Sequence, residues 1–273
     1  MSKPHYPTCI FCRRNDSPPS KEDVFARWIA REWPQKGRFD VIGGIFDGPG
    51  ENEPDIKFSA VGHLGLLTSG PCRRCNSGWM SELETRVQPI FQPLMRGVES
   101  TITTDQQLAI QRWTLKTAIM YEYRESRRKH AERFFKPRDR RTMFENRTVD
   151  AHVFLFAGHY VGPYSLWTSD ADIPLNIHFE GERTDFPAYS FTFAIGQLAL
   201  QLFAFRYPVE SGARQIQFAL PGIYKEATVQ ISPVRWNRQW PPEVKFDQRG
   251  IIEWSKTWRT FPAAEPPSHG SGL

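Results

Sequence analysis

The spacing of apolar residues along the chain changes period near its middle. Over residues 24–33 apolar positions recur at helical intervals (Val24, Trp28, Ile29), which predicts a short helix ended by Pro34. Ser20 and Asp23, three apart ahead of it, have the spacing of a capping pattern. Residues 35–54 are rich in Gly, Pro and Asp and predict a long loop. Ile56, Phe58 and Ala60 then alternate as a strand or hairpin would, up to Leu67. A second helix opens at Asn76, buries Trp79 or Met80, Leu83 and Val87, and is limited by Pro89. A third begins at a Thr104/Gln107 capping pattern and runs to about Arg133. Its first half, 108–123, carries a broad apolar face (Ile110, Trp113, Leu115, Ala118, Ile119, Tyr121) and should be buried. Its second half turns to Arg and Lys and should project into solvent. Pro137 opens a further basic helical piece.

From Asp150 the pattern shortens towards strands. Segments 152–157, 164–168, 189–206, 215–220, 225–232 and 250–255 are predicted to be extended, with Gly196 marking a bulge in the longest. Such segments, separated by turn residues, predict an antiparallel sheet packed on the long helix. The fold class is therefore α+β: an N-terminal unit over 1–97, a helix-plus-sheet domain over 98–261, and a tail over 262–273 whose low hydropathy predicts disorder.

Composition narrows the picture. Nine Trp and twenty Phe can form a core that holds itself together, so a metal site need organise only one end of the molecule. No uncharged apolar run is long enough to span a bilayer, and no charged-then-apolar leader opens the chain, which predicts a cytoplasmic protein with reduced thiols and no membrane partner. In that setting the four cysteines gain meaning. Cys9 and Cys12 form one CxxC, Cys72 and Cys75 another, and two such turns make a tetrahedral sulfur cage suited to Zn²⁺. Two redox-active pairs are the alternative. Because the two halves lie so far apart in sequence, a small unit is inserted between them, and the candidate chemistry lies there.

The net charge of +5 is concentrated. Between residues 124 and 141 stand nine basic side chains (Arg124, Arg127, Arg128, Lys129, Arg133, Lys136, Arg138, Arg140, Arg141) against Glu125, Glu132 and Asp139, and the remainder is nearly neutral. That segment reads either as a phosphate-gripping surface or as a solvated helix face.

The order of these motifs resembles a known family. CIFC, then Ser20-Lys21-Glu22-Asp23-Val24-Phe25, then CNSGWMSELE over residues 75–84 is similar to the HNH endonuclease-like proteins of bacteria, which carry a ββα-metal nuclease fold on a four-cysteine, treble-clef-like zinc scaffold. The likeness covers about residues 9–97, and more faintly QRWTLKTAIMYEY and PVRWNRQWPP. It implies that Glu22-Asp23 matches the family's acid-histidine pair, the acid binding a divalent metal and the histidine acting as general base, and that Asn76 matches a metal ligand at the start of the helix. This chain departs from the pattern: Asp23 stands where the family has histidine, and Ala26 where it has proline. Glu22, Asp23 and Asn76 together would form an all-oxygen site for Mg²⁺ or Mn²⁺. His63, the one histidine between the knuckles, is a candidate substitute base, with a surface or packing role as the alternative. Helix capping is an equally available role for Glu22, Asp23 and Asn76. The function expected is hydrolysis of DNA phosphodiesters. The alternatives are a nucleic-acid-binding protein that has lost catalysis, and a zinc-stabilised protein-interaction module.

Overall fold

A computed structural model describes residues 5–32, 39–41, 59–61, 67–129, 133–163, 166–179, 182–206 and 222–257. Helices and antiparallel sheets share the chain, as an α+β fold requires. The largest layer is a six-stranded sheet. Strands β6 (His152–Tyr160), β7 (Leu166–Phe179), β8 (Glu182–Ile195), β9 (Leu198–Phe205) and β10 (Thr228–Ser232) run in the order β10-β6-β9-β8-β7, all antiparallel, and a short β12 (Lys245–Phe246) joins β6 in parallel.

Every residue of β9, LALQLFAF, is buried, and a strand that is apolar on both faces must be covered on both. On one face lies α4 (Thr104–Lys129), where Trp113 meets Phe193 at 6.0 Å and Tyr121 meets Phe191 at 4.8 Å between ring centroids. The first half of this helix is buried as its apolar face predicts. On the other face lies α7 (Gln248–Ser255), whose Ile251 and Trp254, three apart, turn onto the sheet. The buried Gln201 in the middle of β9 tethers that helix by donating to the Trp254 carbonyl at 2.8 Å.

Several expectations are corrected here. Residues 250–255 are helical, because Asp247 accepts from the Gly250 N–H at 2.7 Å and caps α7. The segment 189–206 is two strands: Ile195 pairs with Leu198, and Gly196, at φ +56, occupies the first position of a two-residue turn that a left-handed glycine suits. The hairpin of β7 and β8 is far longer than the predicted 164–168, because its polar stretches lack an apolar alternation. In segment 225–232 only β10 is extended, and Gly222–Lys225 forms a short α6.

The capping box of α4 sits one residue earlier than expected. The Thr103 hydroxyl accepts from Gln106 N–H at 3.3 Å, and Gln106 Oε1 accepts from Thr103 N–H at 2.9 Å. Pro89 does not end its helix. The backbone runs through α2 (Arg73–Cys75), a π-helical turn (Asn76–Met80) and α3 (Ser81–Met95), with Pro89 and Pro93 inside, held by the buried Phe91, Leu94 and Met95. Tertiary packing offsets the hydrogen bonds those prolines remove. The predicted 215–220 strand, the 262–273 tail and His63 lie outside the described residues.

The N-terminal unit adds β1 (Glu22–Asp23), α1 (Arg27–Glu32), β2 (Phe39–Val41), β3 (Ser59–Val61) and β4 (Leu67–Thr68). Strands β2 and β3 pair with each other, as do β1 and β4, in both cases antiparallel. Ser20 and Asp23 therefore flank or belong to a strand and do not cap α1. One apolar core runs from Cys9 to Trp240, and Phe25 packs edge-on to Phe193 at 5.5 Å.

Candidate metal cage and acid cleft

The two CxxC turns close on one another. Cys9 Sγ lies 3.8 Å from Cys75 Sγ, Cys12 Sγ lies 3.7 Å from Cys72 Sγ, and all four sulfurs fall within 4.8 Å. These separations are far beyond a disulfide bond of about 2.05 Å. They match the edge of a tetrahedron with metal–sulfur bonds of about 2.3 Å, which is about 3.8 Å. Both turns are shaped by the backbone: Cys9 N–H donates to Arg14 O at 2.9 Å with Arg13 left-handed at φ +59, and Asn76 N–H donates to Cys72 O at 3.0 Å.

The thiols do not ionise together unaided. Contact with the Cys75 thiol pulls Cys9 down to about 4 and opposes ionisation of Cys75 itself, while burial lifts Cys12 to about 11. A divalent cation resolves that conflict, since coordination makes each sulfur a thiolate. The donor set fits a metal ion such as Zn²⁺.

From the cage an antiparallel ladder leads outward. Arg73 N–H donates to Pro18 O at 2.8 Å and Ser20 N–H to Pro71 O at 2.9 Å, after which Glu22 pairs with Thr68 and Asp23 with Leu67. The ladder fixes β1 against the start of the 73–95 helix. Between them and α1 opens a cleft of about 490 Å³, lined by Glu22, Asp23 and Asn76 together with Ser20, Trp28 and Glu84. Three of the four candidate residues, Glu22, Asp23 and Asn76, thus share one cavity, and their side chains differ in what they hold.

Asp23 accepts from the Arg27 guanidinium at 2.7 Å, and Asn76 donates its amide to Ser20 Oγ at 2.6 Å. Glu22 is 8% exposed, and its carboxylate has no hydrogen bond or ion pair among the described residues. Burial is the main cause that raises its carboxyl to about 7. The charges of Glu84 and Asp23 push the same way, against the pull of Lys116 and Arg27. Among the described residues, no three Asp, Glu, Cys or His side chains other than the cysteines converge at metal-ligand distance.

Two members of this region were not predicted. Glu84 lines the cleft, and beneath it Lys116, fully buried on α4, donates to Glu84 Oε1 at 2.9 Å with its Nζ 5.5 Å from the Trp113 ring centroid. A signal existed in each case. Between Trp113 and Tyr121, a span otherwise legible as core, Lys116 is the lone cation, and Glu84 ends the CNSGWMSELE motif. The rim was also missed: Lys21, Arg27, Arg31 and Arg73 all line the cleft and are exposed, and Arg27 and Arg31 are one helical turn apart.

The basic segment divides between roles. Arg140 is buried and donates to Phe135 O at 2.6 Å, and Arg133 stacks on Tyr123 at 4.1 Å, so these two guanidiniums serve packing. Arg138 and Arg141 are exposed on α5 (Pro137–Asn146) beside Asp150 (3.5 Å) and Glu145 (2.8 Å). Lys136 precedes that helix with its side chain exposed, and Arg124 is half-buried on α4. Arg127, Arg128 and Lys129 are on the last turns of α4, with side chains outside the description. No helix among the described residues is long and apolar enough to cross a membrane. No family model, curated protein or solved structure matches this chain.

Proposed function

We propose that the protein is a metal-dependent phosphodiesterase acting on DNA, of the HNH endonuclease-like kind, with Zn²⁺ in the cysteine cage as a structural ion. One observation carries this reading: a nine-tenths-buried carboxylate, Glu22, with no partner among the described residues, opens onto a cleft rimmed by Lys21, Arg27, Arg31 and Arg73 at the end of the ladder that leaves the cage. The acids provide for proton transfer or metal binding, and the rim provides for phosphate oxygens. Strand β1 pairs antiparallel with β4, which leads into the 73–95 helix, and this pairing supports a ββα arrangement with α1, β2 and β3 inserted between the two strands.

The oxygens that would hold Mg²⁺ or Mn²⁺ are those of Glu22, Asp23 and the Asn76 amide, whose Oδ1 has no hydrogen-bond partner among the described residues. Held there, the ion would supply polarisation of the phosphate and stabilisation of the leaving oxygen. The chain's own groups do the rest. Lys21, Arg31 and Arg73 orient the backbone of the substrate. Glu84, neutralised from below by Lys116, keeps a second carboxylate near Glu22 without a full added charge.

The test is nicking of supercoiled plasmid by zinc-loaded protein with added Mg²⁺ or Mn²⁺. Glu22→Gln and Asn76→Ala should each lower the rate by about 10²-fold or more, on the scale of lost acid–base or metal contacts, while the variants still fold and keep their zinc. Intact plasmid and linear DNA across divalent metals would end this reading.

A second reading, a DNA-binding protein without catalysis, is favoured by the ion pair that occupies Asp23, the residue standing where the resembled family has its histidine. It predicts salt-dependent DNA affinity that Glu22→Gln leaves unchanged.

A further inference from the structure

Away from the cleft, the loop between β10 and β11 (Arg238–Trp240) holds an indole in an unusual position. Trp236 is 57% exposed, whereas Trp28, Trp79, Trp113, Trp240 and Trp254 are each 6% exposed or less. Its loop is anchored. The fully buried Gln107 donates from Nε2 to Trp236 O at 2.8 Å and to Ile102 O at 3.1 Å, and β11 pairs with β5 (Ser100–Ile102) through Arg238↔Ile102, Gln239↔Thr101 and Trp240↔Ser100. The ring is therefore presented by a fixed backbone and buries little of its own apolar surface, a cost that contact with a ligand would remove.

Two guanidiniums flank it. Arg238 lies over the ring at 4.5 Å with its Nε donating to Gln230 O at 2.9 Å, and Arg235 lies 6.0 Å from the same centroid. Neither has a carboxylate within ion-pair distance among the described residues. Burial, and after it the charge of Arg235, lower Arg238. An exposed aromatic face beside two uncompensated arginines matches the two parts of a nucleotide, a ring that stacks and a phosphate that accepts from guanidinium.

We infer that Trp236, Arg235 and Arg238 form a stacking platform for an unpaired nucleobase and its flanking phosphates, so that this face engages single-stranded DNA. The form of the nucleic acid follows from geometry. In a duplex both faces of each base are covered by neighbours, and an indole on a surface loop reaches a base face only where a strand is unpaired. This inference rests on DNA being the partner, as proposed above, but not on cleavage.

The experiment measures fluorescence anisotropy of a labelled oligothymidylate, and of its duplex with oligoadenylate, against the full zinc-loaded chain with no Mg²⁺ or Mn²⁺ added. Trp236→Ala should weaken single-strand binding about tenfold and Trp236→Phe much less, because stacking on an aromatic ring is what is lost. Neutralising Arg235 or Arg238 should each lower the slope of log affinity against log salt by about 0.7. Melting temperature should not move for Trp236→Ala, since the ring is exposed. Equal single-strand affinity of Trp236→Ala and the parent, tighter binding of the duplex than of the single strand, or displacement of DNA by polyglutamate irrespective of Trp236 would each overturn the inference. Plasmid nicking by Glu22→Gln is scored separately, so failure of the platform and failure of the nuclease reading are told apart.

Discussion

In the cysteine cage each sulfur faces another at 3.7–3.8 Å, and the four of them enclose a single point. A few residues up the same ladder, the acid cleft distributes its carboxylates quite differently: Asp23 on an exposed arginine, Glu84 on a fully buried lysine, and Glu22 on no partner among the described residues. Both places gather anionic groups, yet only the first has the geometry to share one small cation among all of them. Closure suits a site that holds the fold together. Keeping charges apart, partly buried and open to a basic rim, suits a site that waits for a ligand.

The largest expected effect breaks the closed side. Cys75→Ser should release the metal and unfold the N-terminal unit, because such sites contribute about 10–16 kcal/mol of apparent binding energy against a domain stability of about 5–15 kcal/mol. Metal content and thermal melting measure it. A variant that melts like the parent would put the cage on the same footing as the cleft.

Next comes the buried pair beneath the cleft. Lys116→Met leaves Glu84 without its partner and should destabilise by about 3 kcal/mol, at the low end for a broken buried pair because Glu84 keeps 20% of its side chain exposed. Adding Glu84→Gln should recover much of that loss, and denaturant midpoints across the double-mutant cycle give the coupling.

Glu22 sharpens the contrast through pH. Its folded value of about 7 exceeds the usual 4.5, so between those values the folded chain keeps a proton that the unfolded chain has released. Stability from this group is complete below about 4.5 and is lost as pH rises through about 7. Glu22→Gln should flatten that fall and gain up to roughly 3 kcal/mol at pH 8. Urea melts at pH 5 and pH 8 decide it, and an unchanged slope would mean that the carboxyl is not held as described.

The smallest effect is at the rim. Arg27→Ala removes an exposed, solvent-screened ion pair and should leave the melting temperature nearly unchanged. It also releases Asp23, so Mn²⁺ titrated against the variant should bind more tightly. Unchanged affinity would separate Asp23 from the metal.

Much of the closed side could be read in one dimension. CxxC turns are local, and the helix after Cys75 announces itself through Asn76, Trp79 and Leu83. The apolar face of α4 and the strand content beyond Asp150 were also legible, since period follows from local geometry. The misreadings have physical causes. Residues 250–255 are apolar in a way that suits strand or helix, and only the Asp247 cap decides. Pro89 stops helices in isolation, yet packing of Phe91, Leu94 and Met95 carries this one past it. Glu22 and Asp23 have the composition of a helix start, and they become a strand because Leu67 and Thr68 lie alongside.

The amino-acid sequence by itself determined which groups this protein owns: four thiols in two turns, an acid pair at the head of the insert, one buried helix and a chain rich in strands. Tertiary structure decided which of those groups meet. Lys116 reaches Glu84, and Phe25 reaches Phe193, only after α4, the 73–95 helix and the sheet have packed around one core. A residue's burial, and hence the cost of its charge, depends on neighbours distant in sequence, so the environment of Glu22 could not be read from the residues beside it.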